Sequence, residues 1–183
     1  MKTIRKTILI LSVLSIISCS KKKEKAETVE SNSEKQATTS EKNGALALNV
    51  DFSDKRYNDV YKHYIAIKDG LVNSDKDAVK KGSGEIGTAF ANLGVEQSLM
   101  DAIAEMIRTD DIEVQREEFS ALSNELTEIL SKAHIKSGKI YKQYCPMAFN
   151  SEGAYWLSTE KEIRNPYFGD AMLKCGEVKA EIN

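Results

Sequence analysis

Asp110–Gly138 reads DDIEVQREEFSALSNELTEILSKAHIKSG, and its spacing decides the fold class. Phe119, Leu122, Leu126 and Ile129 recur at three, four and three residues. That recurrence lays apolar side chains along one stripe of an α-helix. Asp110 stands three residues before Glu113, an acidic variant of capping-box spacing that predicts the helix start. His134 and Lys136 fall near the expected end, where cations favour the negative pole of the dipole, and Gly138 stops the helix.

Upstream of this helix the same periodicity recurs three times. Val60, Tyr64, Ile67 and Leu71 build one stripe. Val79, Ile86, Phe90 and Leu93 build a second after the Ser74-Asp75 start signal, and Leu99, Ile103, Met106 and Ile107 a third. Gly82, Gly84 and Gly87 fall inside the second helix and predict a kink near Gly82–Gly84, because glycine in a helix costs about 1 kcal/mol relative to alanine. No strand precedes these glycines and no Gly-Lys-Ser/Thr follows, so they form no phosphate loop. With no internal repeat and no convincing alternating strand run, the expected class is all-α. The expected architecture is an antiparallel bundle of about four helices over residues 52–136, inside a single domain spanning 49–183.

The N-terminus carries an address. Lys2, Arg5 and Lys6 precede the apolar run Ile8–Ile17, which is too short for a comfortable membrane span. Ile16-Ile17-Ser18-Cys19 resembles the lipobox of bacterial lipoproteins, whose cysteine thiol is diacylated before cleavage. The expectation is a signal peptide over 1–18 and a lipidated Cys19 that anchors the chain to a membrane of the cell envelope, facing the periplasm. The outer membrane is favoured over the inner. Loss of Lys2, Arg5 and Lys6 takes the formal charge from −2 to −5. Such a balance is opposite to the basic footprint of a nucleic-acid binder. Residues 19–48, rich in Ser, Glu, Lys and Thr, bury too little to order themselves and read as a flexible tether.

Residues 141–176 differ from everything before them. This stretch holds both prolines, the lone tryptophan and seven of the thirteen aromatic residues. Two sulfur pairs bracket it, Cys145-Pro146-Met147 and Met172-Leu173-Lys174-Cys175. The segment is expected to be irregular, with a turn at Asn150–Gly153, one helical turn over Thr159–Arg164 and another over Asp170–Cys175.

Thiolate and thioether sulfurs select Cu(I) over harder divalent ions. Cys145, Met147, Met172 and Cys175 could therefore hold Cu(I) if the ends of the segment meet, with Trp156 stacked on the ion. In an oxidising envelope the alternative is a disulfide between Cys145 and Cys175, the two methionines becoming core filler. Both states are open to a pair that switches. His63 and His134 are scattered and read as solvated or hydrogen-bonded. Arg164 and Asp170 read as a structural pair. Redox Cys-x-x-Cys, Gly-x-Ser-x-Gly and His-Glu-x-x-His motifs are missing from the sequence, which does not point to an enzyme.

Tyr144–Phe149 (YCPMAF), Gly153–Ser158 (GAYWLS), Ile163–Gly169 (IRNPYFG) and Met172–Gly176 (MLKCG) resemble, in that order, a bacterial envelope family of unknown function. Gln115-Arg116 with Phe119, Leu122 and Ser123 is similar to that family's pattern on the preceding helix. The family occurs as small lipoproteins and as a domain appended to periplasmic adaptor subunits of copper/silver and cobalt–zinc–cadmium efflux pumps. What the resemblance implies, over about residues 52–182, is a helical domain working near heavy-metal export. Cys145-Pro146-Met147 also resembles short heavy-metal-binding modules in which a histidine follows the methionine; here Ala148 stands there, so only thiolate and thioether carry over. Two functions follow. One is a copper-binding accessory lipoprotein that hands metal to an efflux adaptor. The other is a disulfide-locked domain that docks a partner protein through Tyr155, Trp156, Tyr167 and Phe168.

Overall fold

The computed structural model describes residues 48–95 and 97–183. The expected signal peptide over 1–18, Cys19 and the tether up to residue 47 lie outside the described residues. Four helices follow one another: α1 Lys55–Val72, α2 Lys76–Leu93, α3 Gln97–Arg108 and α4 Ile112–Ser131. Three of them start on an aspartate whose carboxylate accepts a first-turn N–H: Asp54 from Arg56, Asp75 from Ala78 and Asp111 from Glu113. Each such cap satisfies one of the orphan donors of a helix start. On α4 the cap is Asp111, one residue later than the spacing suggested, while Asp110 pairs with Lys80 of α2.

The four stripes pack against each other as their periodicity requires. Val60, Tyr64, Ile67 and Leu71 of α1, Val79, Ile86 and Phe90 of α2, Leu99, Ile103 and Met106 of α3, and Phe119, Leu122 and Leu126 of α4 are all buried in one core. Leu93 and Ile129 are partly buried against this core, and Ile107 is 41% exposed at the end of α3. Leu48, counted with the tether from sequence, packs against this core.

No break occurs at Gly82–Gly84; α2 is continuous. Gly82 is instead a point of close helix approach. A Cβ built there would lie 2.9 Å from Ile67 Cγ1 and 3.3 Å from the Ile67 backbone nitrogen, whereas one at Gly84 meets nothing within 4 Å among the described residues. The absence of a side chain at Gly82 thus lets α1 and α2 touch, and its cost in helix propensity is offset by packing. The two positions respond oppositely to alanine. Gly84→Ala should stabilise by about 0.5–1 kcal/mol through helix propensity. Gly82→Ala should instead destabilise by about 1–2 kcal/mol, as overpacking exceeds that gain. Chemical denaturation of the two variants checks the signs, and a stabilised Gly82→Ala would contradict the close approach.

The protein is mostly helical but not all-α. The expected continuation of α4 to Gly138 fails: the helix stops at Ser131, and Ile135–Ser137 forms β2, antiparallel to β1 at Asp51–Phe52. Ile135 packs on the core from this extended position. The C-terminal part, expected to be irregular, contains a three-stranded antiparallel sheet in the order β4-β3-β5. Its strands are β3 Ile140–Cys145, β4 Ala154–Ser158 and β5 Glu177–Ile182. In place of the helical turn expected over Thr159–Arg164 there is a loop, whose Glu160, Lys161 and Glu162 carbonyls accept from the buried Gln143 amide. Between β3 and β4 a short helical turn, α5, covers Ala148–Ser151. A 3-10 turn at Gly169–Met172 stands where Asp170–Cys175 was expected to be helical.

A chain of buried hydroxyls joins the sheet to the bundle. The Leu157 N–H donates to Tyr64 Oη at 2.9 Å, Tyr64 donates to Ser123 Oγ at 2.8 Å, and Ser123 donates to the Phe119 carbonyl at 2.7 Å. β4, α1 and α4 are thereby tied by groups that each give and accept one bond, which satisfies every member of a buried polar network. Burial holds the Tyr64 phenol far above its ordinary pKa, so it stays a neutral donor.

Candidate functional site

The sulfur residues lie where the ends of the C-terminal segment meet. β3 delivers Cys145 at its last position, and Cys175 stands two residues before β5, the strand paired with β3. Their Sγ atoms stand 2.7 Å apart across 30 residues of chain. Cys145 is fully buried and Cys175 half-buried. The neighbouring Cys145 thiol, which favours a neutral partner, together with burial pushes the Cys175 thiol up to about 11. At neutral pH only about one molecule in ten thousand would then carry a Cys175 thiolate. Alkylation of Cys175 in the reduced chain should therefore accelerate about tenfold per pH unit between pH 8 and 10. A rate that levels off near pH 8 would refute the raised value.

The loop from Glu162 to Cys175 is fixed by buried polar side chains rather than by regular structure. Asn165 donates its side-chain amide to the Cys175 carbonyl at 2.8 Å, accepts from the Tyr167 N–H at 2.8 Å, and its own N–H reaches the Leu173 carbonyl at 2.8 Å. Arg116, nearly buried on α4, donates Nε to the Pro166 carbonyl at 3.1 Å and Nη2 to Ser74 Oγ at 3.2 Å, and its Nη1 pairs with Glu113. This arginine is the lock that sequence alone assigned to Arg164 and Asp170. Asp170 is exposed, and no ion pair joins it to Arg164 among the described residues.

Trp156 and Tyr167, expected on a docking surface, are instead buried. Tyr167 sits among Phe119, Phe149 and Trp156, with ring centroids 6.1, 5.3 and 5.8 Å away, and donates its hydroxyl to the Tyr155 carbonyl. Both rings face inward because loop 159–176 folds over them. Of the four aromatic residues proposed for docking, only Tyr155 and Phe168 remain partly exposed. Tyr155 is already covered by the Lys142 ammonium, 4.4 Å above its ring.

The two thioether side chains, Met147 and Met172, line one cleft of about 370 Å³, together with Phe149, Phe168, Glu113, Glu117, Asn150 and Tyr167. Met147 is 50% exposed, unusual for a large apolar side chain. The Met147 backbone amide draws the Cys175 thiol pKa part of the way back down. The adjoining backbone is strained: Phe149, Asn150 and Ser151 occupy left-handed conformations at φ 50, 56 and 73°. Three non-glycine residues in a row with such φ are rare, and outliers of this kind cluster at functional sites. Sequence alone gives Glu113 only a capping role, although its spacing of four from Glu117 on α4 places both carboxylates on one face.

A larger cleft of about 520 Å³ lies elsewhere, lined by Arg56, Glu125, Glu128 and Lys132 around Leu93 and Val95, and it contains no sulfur. His63 pairs with Glu85 at 3.1 Å, and His134 is exposed on the segment after α4; neither lines the thioether cleft. Among the described residues no group of three or more His, Cys, Asp or Glu side chains could hold a metal ion, and no helix is long and apolar enough to cross a membrane.

Comparison with known proteins adds one match. No curated protein and no solved structure matches the chain. Residues 60–138, from within the first third of α1 through β2, match the family model described as "Protein of unknown function (DUF3347)", and the match ends before the sulfur-bearing segment begins.

Proposed function

We propose that this chain is a non-catalytic soft-metal-binding domain of the cell envelope, with Cu(I) as its ion. In this reading it is anchored through a lipidated Cys19 and serves as an accessory to a periplasmic efflux adaptor. One observation carries the metal reading: Cys145, Met147, Met172 and Cys175, placed at both ends of a segment of about thirty residues, are gathered around one corner of the sheet. Sulfur donors of these two kinds prefer Cu(I) to zinc or magnesium. The anchor and the adaptor rest on the Ile16–Cys19 sequence and on the motif resemblance. Native mass spectrometry of the reduced full chain tests the metal reading. One Cu(I) should bind per chain and should not be displaced by excess Zn(II); no copper uptake, or equal uptake of zinc, overturns it.

The 2.7 Å sulfur separation favours a second reading, a disulfide-locked interaction domain without metal. Closing a loop of this length stabilises a fold by about 3–4 kcal/mol in the chain-entropy estimate. A chain that stays oxidised and ignores Cu(I) in that measurement would establish it.

A further inference from the structure

We infer that the metal seat is the thioether cleft itself: Met147 and Met172 hold a monovalent soft cation, Cu(I) or Ag(I), beside the Glu117 carboxylate, while Cys145 and Cys175 brace the cleft wall and are not ligands. This deepens the soft-metal reading and rests on it.

Three features separate the cleft from the thiols. First, the cleft is lined by both thioethers but by neither cysteine, and Cys145 is fully buried behind it. A thioether carries no proton, so it binds metal at neutral pH without first ionising, unlike a thiol. Second, the charge is matched to one positive ion. Glu113 is already paired with Arg116, whereas Glu117 makes no ion pair among the described residues. Third, the left-handed Phe149–Ser151 turn supplies Phe149 and Asn150 to the same lining directly after Met147. Methionine has three rotatable bonds, so both sulfurs can close on an ion from a half-open cleft. The aromatic rings of Phe149 and Phe168 shelter that ion from water.

Metal uptake by such a seat is independent of the cysteine redox state, which suits an oxidising compartment. Ag(I), which undergoes no redox change on binding, is the probe. The full chain is titrated in competition with a chromophoric chelator in four forms: reduced, disulfide-oxidised, Cys145→Ser/Cys175→Ser, and Met147→Leu/Met172→Leu. Leucine keeps the side-chain volume, so the last form should remain folded. Met147→Leu alone, at a half-exposed position, gives a second reading that folding cannot confound. The first three forms should each bind one Ag(I) with affinities within about threefold of one another, and the methionine variant should lose at least about tenfold. Binding that vanishes on oxidation or on cysteine replacement makes the thiols ligands; it overturns this inference and leaves the soft-metal reading intact. No Ag(I) uptake by any form removes both.

Discussion

Trp156→Ala is expected to lower the stability of the described domain by about 3–5 kcal/mol, the range for truncating a fully buried large aromatic. The side chain is 0% exposed, crosses Tyr167 edge to face at 5.8 Å, and fills the space where a Cβ at Gly176 would lie 2.9 Å from its Cη2. It is thus the piece that seats loop 159–176 on β3 and β4, between the two cysteines. Its indole nitrogen has no hydrogen-bond partner among the described residues, so the loss is one of packing. Trp156→Phe, which keeps a ring against Tyr167, should cost clearly less. Urea unfolding followed by far-UV circular dichroism is the appropriate measurement, since the variants lack the chain's lone tryptophan. A change within about 0.5 kcal/mol, the scale of surface substitutions, would mean that Trp156 lies on a surface and would revive the aromatic docking reading.

Arg116→Met is the second large effect, about 3 kcal/mol, with consequences beyond stability. Hydrogen bonds to a charged group contribute about 1.5–3 kcal/mol each, and a buried carbonyl left without its donor costs more than the mean bond is worth. Arg116 donates to the Pro166 carbonyl, to Ser74 and to Glu113, so it joins α4, the α1–α2 corner and the Asn165–Phe168 turn in one step. Arg116→Lys keeps the charge but loses the planar fork, and should recover only part of the loss. Removing the guanidinium also frees the Glu113 carboxylate at the cleft. In the metal reading, Ag(I) affinity should therefore not fall in step with stability. Parallel collapse of both would assign Arg116 to the fold alone.

The helices were legible in the sequence because each buries one stripe. Val60, Tyr64, Ile67 and Leu71 recur with helical spacing and all four are fully buried. The sheet was hidden for an equally physical reason. An alternating pattern needs one wet face, but Trp156, Leu157 and Ser158 of β4 are consecutively buried, under loop 159–176 on one side and the bundle on the other. In β3 the buried position between Lys142 and Tyr144 is Gln143, whose side-chain NH2 group donates to three loop carbonyls that only the folded chain provides, while its Oε1 has no partner among the described residues. Gly82 was misread for a related cause: propensity recorded its cost in α2, while the Ile67 contact that offsets it lies on another helix.

The site was half legible. Sulfur pairs at the two ends of an aromatic-rich segment pointed to convergence, and the cysteine sulfurs do face each other at 2.7 Å. What no local pattern could show is that the methionines and cysteines part company. Cys145 points into the core, whereas Met147, two residues later and past the proline, lines an open cleft opposite Glu117 of α4. The carboxylate comes from a helix thirty residues upstream, chosen by tertiary packing.

Methionine sulfur at the Cys145–Cys175 corner is expected to hold a soft ion, and selenium in place of that sulfur is the sharpest probe of it. The full chain produced with selenomethionine, disulfide-oxidised and loaded with one equivalent of Cu(I), is measured by X-ray absorption at the selenium edge. A selenium–copper scattering path is expected, and it should disappear in the Met147→Leu/Met172→Leu variant. A spectrum with no copper neighbour around selenium, in a sample that retains its copper, would contradict it.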